Sequence, residues 1–369
     1  MELLILDEDT RQPTKLVQEY DSLIWTERYN TTGDFQLVSG LPSHHMQLLP
    51  EGTLLTLRES NQVMIVETHR IDRKKNQPVT LTITGRSFES IMDRRIAIKE
   101  VVSGNQEWSV IAKTPSDIAY YIMNYICVMG AVDVLDKFPS DLVQFVTPPD
   151  YLTGTGPNRS FSIPKGNLLS AVLQFIQAEF RTDPSTVPIT PKVAPHGIRS
   201  VRPDPTATAI GIEIYTGQDL RDTLYFDATR QLLDDGSYLF SKVNSANVAY
   251  NIGVNAAQTL YNSSSTPSGI DRRVMLVDST TSNVSAPSIL TELGKMALYE
   301  SKETALFDGS INADISPYLY GLDYNLGDIV KLVGDYGLSQ SARVTEYIRS
   351  EDSTGNKSYP TLFTIPDWL

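Results

Sequence analysis

The sequence predicts an α+β, β-rich chain built around two copies of one small antiparallel β-barrel. The repeat itself is the first observation. Near the N-terminus it runs Gly52-Thr53-Leu54-Leu55-Thr56-Leu57, then Val63-Met64-Ile65-Val66-Glu67, then Val79-Thr80-Leu81-Thr82-Ile83. Near the C-terminus it runs Gly327-Asp328-Ile329-Val330-Lys331-Leu332, then Ala342-Arg343-Val344-Thr345-Glu346, then Pro360-Thr361-Leu362-Phe363-Thr364-Ile365. Each copy is a turn glycine followed by three strand-forming segments, with polar loops such as Arg73–Gln77 and Ser353–Lys357 between them. The second observation is the period-2 alternation of Val79, Leu81 and Ile83 with Thr80, Thr82 and Thr84, which marks a half-buried strand. The third is a change to helical periodicity between the copies. Two barrels per chain suit a ring in which three chains supply six, so the pattern points to architecture rather than catalysis.

Taken in order, residues 1 to about 86 are strand-rich, and Met1–Asp7 reads as a first strand without the basic region of a signal peptide. Val63–Val66 is a continuous apolar run, as expected of a strand covered on both faces. Ser87 is placed to cap a short helix carrying Phe88, Ile91 and Met92 on one face. Pro115-Ser116-Asp117 opens a helix with Ile118, Ile122, Met123 and Ile126 aligned, ending near Gly130. A second helix starts at Asn167 and buries Leu168, Leu169, Val172, Leu173 and Ile176, after a Pro/Gly-rich loop from Pro148 to Gly166. Six prolines between Thr182 and Pro205 favour an extended connector. Strands resume at Ile210–Tyr215, Asp222–Phe226, Ala246–Tyr250 and Arg273–Val277, with a helix from Ser288 to about Thr304. The expected division is 1–100 for the first barrel, 101–190 for an α/β insert, 191–309 for a mixed β/α part that helps complete the first barrel, and 310–369 for the second barrel.

Bulk properties narrow the function. Hydrophobic residues make up 41% of the 369, enough for real cores, and no run approaches the roughly 18 apolar residues of a membrane span. The single cysteine, Cys127, rules out an intrachain disulfide, so packing must hold the fold. A net charge of -13 argues against tight nucleic-acid binding, which needs clustered cations to displace counterions.

The segment Tyr20–Tyr29 (YDSLIWTERY) with Gly33-Asp34-Phe35-Gln36-Leu37 resembles the opening of a tail-tip, or baseplate hub, protein family of long-tailed bacteriophages. Thr84–Arg95, Asp222–Phe226 with Ala246–Tyr250, and Tyr324–Val330 with Ala342–Glu346 resemble its later blocks, in order, so the likeness covers nearly the whole chain. It extends to the N-terminal hub region of tail-associated lysin proteins. The resemblance implies two tail-tube-like antiparallel β-barrel domains plus two smaller α/β domains, a homotrimer, and pseudo-sixfold symmetry facing the tail tube. It further implies a virion tail-tip location, a part in host attachment and DNA ejection, and contacts with a distal tail protein or tube ring. Tail fibre, spike or receptor-binding proteins and a tape measure protein are the other implied partners, with phage DNA passing through unbound. The acidic balance suits such a bore, since like charge repels the DNA backbone; plain solubility explains the same number. Some relatives carry C-terminal enzymatic modules, whereas this chain stops at Trp368-Leu369, so such an activity would belong to another polypeptide.

The residues that carry chemistry elsewhere point nowhere in particular here. His44, His45, His69 and His196 make no zinc pattern, and adjacent His44 and His45, in a Pro/Ser turn read as extended, would point apart. Lys165 follows Ile163-Pro164 rather than a phosphate loop, and Gly154-Thr155-Gly156-Pro157 reads as a turn. Cys127 reads as a buried structural thiol. Asp234-Asp235 and Glu351-Asp352 read as turn or loop acids rather than a glycosidase pair. Asp93-Arg94-Arg95 either ends its helix with cations where the dipole favours them or forms an ion pair across a trimer contact. Tyr20, Trp25 and Tyr29 form either an interaction face or a core strand. No catalytic residue, cofactor site or metal ligand is assigned, and no cofactor is expected. The expected function is a structural, non-enzymatic virion protein, with a tail-borne cell-wall hydrolase or a carbohydrate-binding receptor module as alternatives.

Overall fold

The computed structural model describes residues 1–99, 107–111, 115–148, 158–162, 166–177, 196–262, 266–280, 287–301, 304–311, 316–334 and 339–365. The N-terminal part forms β1 (Leu3–Leu6), β2 (Pro13–Val17), β3 (Ser22–Arg28), β4 (Asp34–Ser39), helix α1 (Pro42–Leu48), β5 (Leu54–Leu57), β6 (Met64–Asp72) and β7 (Thr80–Ser87). The middle holds β8 (Ile96–Ala97), β9 (Glu107–Ile111), α2 (Pro115–Cys127), β10 (Val143–Val146), β11 (Asn158–Ser162), β12 (Gly166–Asn167), α3 (Leu168–Gln177), β13 (Gly197–Val201) and β14 (Ile210–Tyr215). Then come β15 (Tyr225–Asp227), β16 (Leu233–Ser241), β17 (Val248–Gly253), β18 (Ala256–Tyr261), β19 (Val274–Asp278), α4 (Pro287–Glu300) and β20 (Thr304–Ile311). The C-terminal repeat is β21 (Ile329–Val333), β22 (Ser339–Asp352) and β23 (Gly355–Ile365).

Both copies of the repeat exist and match in detail. Gly52 and Gly327 have φ of +88° and +91° and stand third in turns closed by Thr53 N–H to Pro50 O (3.1 Å) and Asp328 N–H to Asn325 O (3.2 Å). That is type II turn geometry, which needs positive φ at the third residue and so selects glycine. Each glycine N–H donates to a buried valine carbonyl, Val66 or Val344, at 2.8 Å, and each valine N–H donates back at 2.9 Å, to Thr53 or Asp328. A β-bulge then follows each valine, between Val66 and Thr68 and between Val344 and Glu346. A bulge bends its strand and strengthens the twist, so both copies curl at the same place.

The expected pair of closed barrels is not what these strands build. Among the described residues neither repeat closes; both lie in one eleven-stranded sheet, ordered β15-β21-β22-β3-β4-β7-β6-β5-β1-β2 with β23 on β22. The physical reason is β22. Its first part pairs with β21 and its second part, Glu346–Glu351, pairs antiparallel with β3 at Leu23–Arg28. The edge of the C-terminal copy is thereby satisfied by β3, and β3 and β4 join it to the N-terminal copy at β7.

Three further packing units surround this sheet's two cores. In the middle segment Ile118, Ile122, Met123 and Ile126 of α2 and Leu168, Leu169, Val172 and Ile176 of α3 face the sheet β10-β14-β13, in a core that Leu6, Val63 and Ile65 of the N-terminal part also join. The helices predicted there are present, and Asn167 caps α3 by accepting Ser170 N–H at 3.0 Å. Strand β11, paired with β9, falls within the stretch Pro148 to Gly166 expected as a long loop. The connector's proline run from 182 to 195 lies outside the described residues, but its end is strand β13. Strands β18-β17-β19 pack one face on α4 to make a small separate core around Ala249, Leu260 and Leu298. Ribbon β16–β20 is the third unit.

Smaller expectations also change. Ser87 precedes a 3-10 helix, Phe88–Arg94, without capping it through its side chain. Phe88, Ile91 and Met92 are nonetheless buried together. The polar stretch Ser353–Lys357 is mostly strand, because a tight turn before Gly355 (φ +127°) lets β22 and β23 run 14 and 11 residues. His44 and His45 lie in α1, not in an extended turn, since Pro42 at its first turn fixes a helical φ.

The repeat's two glycines separate backbone strain from packing. A methyl at Gly52 meets nothing within 4 Å, whereas one at Gly327 would fall 2.2 Å from the Tyr29 ring. Gly52→Ala should therefore cost about 1–2 kcal/mol, the ordinary left-handed penalty, and Gly327→Ala more than twice as much. Urea denaturation of the two variants checks this; equal losses would refute the packing argument.

Candidate functional site

The residues that organise the molecule converge where β3 meets β22. Strand β3 alternates, so Leu23, Trp25 and Glu27 face inward, and Trp25 is wholly buried against Phe35 (ring centroids 6.1 Å apart). A carboxylate on that buried face needs partners, and Glu27 has three. Its Oε1 accepts from Arg349 Nη1 at 2.7 Å and Trp25 Nε1 at 3.2 Å, and its Oε2 accepts from the Tyr320 hydroxyl at 3.1 Å. The side chains of Glu27 and Arg349 are 3% and 7% exposed, so this ion pair is sealed from water. Arg349 lies over Tyr347, 4.6 Å from the ring centroid, and Tyr347 stacks on Tyr320 at 3.7 Å. Burial, then the negative charge of Glu27, drives the Tyr320 phenol far above its usual range, so it stays a donor.

Just beyond, the chain turns around Tyr29, which is also fully buried. Tyr29 N–H donates to Thr345 O at 2.8 Å, and its carbonyl accepts Ile198 N–H at 2.9 Å. Its ring packs edge-on against Tyr215 (5.3 Å), under the Arg343 guanidinium (5.5 Å) and beside Gly197 and Gly327. A Cβ at Gly197 would lie 2.4 Å from that ring, so glycine is required for close approach. Asp328 completes the junction by accepting Gln218 N–H at 2.6 Å and Asn325 N–H at 2.7 Å. One tyrosine of the N-terminal part thus touches both the middle segment and the C-terminal repeat.

The remaining residues of the opening blocks hold this corner. Arg28 Nε donates to Glu346 Oε1 at 2.7 Å and Arg28 also pairs with Asp34. Gly33 N–H donates to Ser87 Oγ at 2.8 Å, and Ser87 in turn contacts Glu89. Arg86 joins Glu67 (2.8 Å) and Asp93. A side chain at Gly85 would run into Ile65 O at 1.8 Å, where β6 crosses tightly at its bulge. Glu89 is buried with Oε2 unpartnered, and burial pushes its carboxyl up while the Ser87 contact opposes.

The other residues weighed in the sequence fall into structural places. Trp25 and Tyr29 are core, which settles that choice; Tyr20 is half-buried and donates to Glu351 at 3.3 Å. Asp93 is engaged within the chain, and Arg95 stacks over Phe138 at 4.6 Å. His45 bonds Ser39 Oγ (2.8 Å) and Gln18 O (3.0 Å), and His69 bonds Leu49 O at 2.7 Å. His196 sits at the start of the described segment 196–262, its N–H on Ile176 O. Cys127 is buried, its thiol pushed up to about 12 by desolvation. The backbone of Asp234 and Asp235 lies in β16 at a bulge, and Glu351 and Asp352 end β22, so neither pair occupies the turn or loop expected. Lys165 and Gly154–Pro157 lie outside the described residues. No three His, Cys, Asp or Glu side chains gather among the described residues. A cavity of about 310 Å³ is lined by Asp219, Arg221, Asp222, Lys331, Ser339 and Ser341, with Asp219 tied to Arg221 at 2.6 Å. Arg349 and Tyr320 were not anticipated. Their signal was faint: Tyr347 and Arg349 share a face of one strand, but nothing in sequence pairs them with Glu27.

Comparison with known proteins agrees with this frame. The profile of the Siphovirus ReqiPepy6 Gp37-like protein family matches residues 2–362. No curated protein matches the sequence. The fold is similar to that of the 43 kDa tail protein of prophage MuSo2 from Shewanella oneidensis, with a TM-score of 0.59 at 12% identity over 98% of each chain. It is similar to a tail protein from Neisseria meningitidis, with a TM-score of 0.55 at 12% identity over 99% of this chain and 96% of that one. It is also similar to the E. coli c3393 protein, a type VI secretion component, with a TM-score of 0.50 at 11% identity over 100% of this chain and 78% of that one.

Two outcomes follow from the junction. Glu27→Gln or Arg349→Met alone leaves a buried charge and should cost about 3–5 kcal/mol, while the double variant should lose less than the sum of the two; a urea double-mutant cycle reads the difference, and additive losses would refute the pairing. Glu89 has a raised folded pKa, so its contribution is fully present below the unfolded value of about 4.3 and is lost as pH rises through the folded one. Glu89→Gln should match wild type near pH 4 and exceed it in stability at pH 8; identical curves across that window would contradict the assignment.

Proposed function

The chain belongs to the Siphovirus ReqiPepy6 Gp37-like family of phage tail proteins, and from that premise we propose that it is the homotrimeric hub at the distal end of the tail tube. The observation that carries this reading is the duplicated unit, matched down to its turn, its hydrogen bonds and its bulge. Three chains then present six equivalent units to a sixfold tube and threefold symmetry to whatever lies below. The c3393 protein, similar in fold, is described as resembling the T4 bacteriophage tail proteins gp27 and gp5, which supports a tail-component role.

In this reading each open unit completes its barrel-like wall against neighbouring subunits. The chain divides near residues 100, 190 and 309 as the sequence suggests, except that β13 and β14 pack with the middle core. The function is mechanical: the buried junction keeps the two units of a chain in fixed orientation, and host contact shifts subunits against one another to let DNA pass. The partners are itself, a distal tail protein or tube ring, fibre, spike or receptor-binding proteins, and a tape measure protein. The net charge of -13 keeps DNA from adhering to the bore. No residue performs covalent chemistry in this account.

Sedimentation equilibrium on the purified chain should return three times its 41.0 kDa mass. Gold-labelled antibody on phage particles should decorate the distal tail tip. A stable monomer at every concentration, or label along the tube, would overturn the hub assignment.

A further inference from the structure

The cavity of about 310 Å³ opens on the polar side of the C-terminal repeat, lined by Asp219, Arg221, Asp222, Lys331, Ser339 and Ser341. Its floor follows from strand alternation. Val330, Leu332, Ala342 and Val344 fill the core on one side of β21 and β22, which turns Lys331, Ser339 and Ser341 to the opposite face. Register sets Lys331 directly across from Ser341, and Val333 across from Ser339. The wall is the turn that precedes β15, and its backbone is laced to β21. Ile329 N–H donates to Gln218 O and Leu220 N–H to Ile329 O, both at 2.8 Å, and Lys331 N–H donates to Leu224 O at 3.2 Å. Within the turn, Thr223 N–H and Leu224 N–H both donate to Leu220 O, at 3.0 and 2.8 Å. The main chain at Asp222 and at Lys331 is therefore held in one fixed relation.

The charges around the cavity are of two kinds. Asp219 and Arg221 neutralise each other, with Arg221 Nε donating to Asp219 Oδ1 at 2.9 Å and Nη2 to Oδ2 at 2.6 Å. Chiefly this pairing holds the Asp219 carboxyl below its usual range. Asp222 and Lys331 are both exposed, and neither side chain has a hydrogen bond or ion pair among the described residues. A carboxylate and an ammonium thus line one cavity without meeting. A simple anion drawn to Lys331 is repelled by Asp222, and a simple cation drawn to Asp222 is repelled by Lys331. A divalent metal ion would find one uncommitted carboxylate, too few oxygens to hold it. We propose that this cavity binds a small zwitterion, its ammonium on Asp222 and its carboxylate or phosphate on Lys331 and the Ser339 hydroxyl. Charge-assisted hydrogen bonds then form at both ends of the ligand, and the volume is that of the smaller ligand pockets, about 300 Å³. The proposal does not depend on the hub reading.

The test is saturation-transfer NMR on the full chain at constant ionic strength. The probes are β-alanine and phosphoethanolamine, with propionate, ethyl phosphate and ethylammonium as their single-charge counterparts. A zwitterion should receive saturation from wild type, and each counterpart should bind about tenfold more weakly, the loss of one charge-assisted contact. Tighter binding of phosphoethanolamine identifies the oxyanion as phosphate, and tighter binding of β-alanine identifies it as carboxylate. Asp222→Asn and Lys331→Met should each weaken the zwitterion about tenfold. Both positions are exposed, so the variants keep the fold, which circular dichroism checks. Lys137→Met, which removes an exposed cation elsewhere, should leave binding unchanged. No transfer to either zwitterion, binding unchanged in Asp222→Asn and Lys331→Met, or propionate or ethylammonium binding as well as β-alanine would overturn the proposal.

Discussion

Everything in this structure hangs on how strand β22 is shared. Its early residues pair with β21 and its later ones with β3, so the two copies are joined through β3 and β4 into one sheet. Backbone pairing alone would leave that seam free to slip, and a slip of one residue would turn every inward side chain outward. The buried pair of Glu27 and Arg349 removes that freedom, since any other register would strand a charge in the core. Trp25 and Tyr320 use Glu27's remaining lone pairs, so the buried carboxylate is fully partnered in this register.

Tyr29 extends the same constraint into the third part of the chain. Its main chain bonds both β22 and β13, and its ring fills a space from which Gly197 and Gly327 exclude any side chain. Those glycines serve different ends. Gly327 supplies a positive φ and a close approach at once, while Gly52, its counterpart in the first copy, supplies only the φ. The duplicated unit has therefore kept its backbone geometry in both places and acquired its packing role in one.

The surfaces that leave this junction are less uniform. The sheet β18-β17-β19 packs α4 on one side and shows Tyr250, Ile252, Tyr261 and Leu276 to solvent on the other. The far edge of the large sheet ends in β2. These features lie away from the seam, and none of the junction's hydrogen bonds depends on them.

Sequence by itself determined the local pieces. Positive-φ glycines, period-2 alternation and helical periodicity located the repeat, the strands Ile210–Tyr215 and Thr80–Ser87, and the helices α2, α3 and α4, because each is set by sterics and burial within a few residues. The blocks that carried the family likeness were also legible, and Trp25, Arg28, Tyr29, Gly33 and Ser87 all prove to sit at the junction. What tertiary structure alone decided is pairing. No local rule says that β22 joins β3 rather than closing its own barrel, that Glu27 finds Arg349 across more than three hundred residues, or that Trp25 and Tyr29 are core rather than contact surface. Those outcomes depend on which distant groups can be desolvated together, and that is a property of the assembled core rather than of any segment.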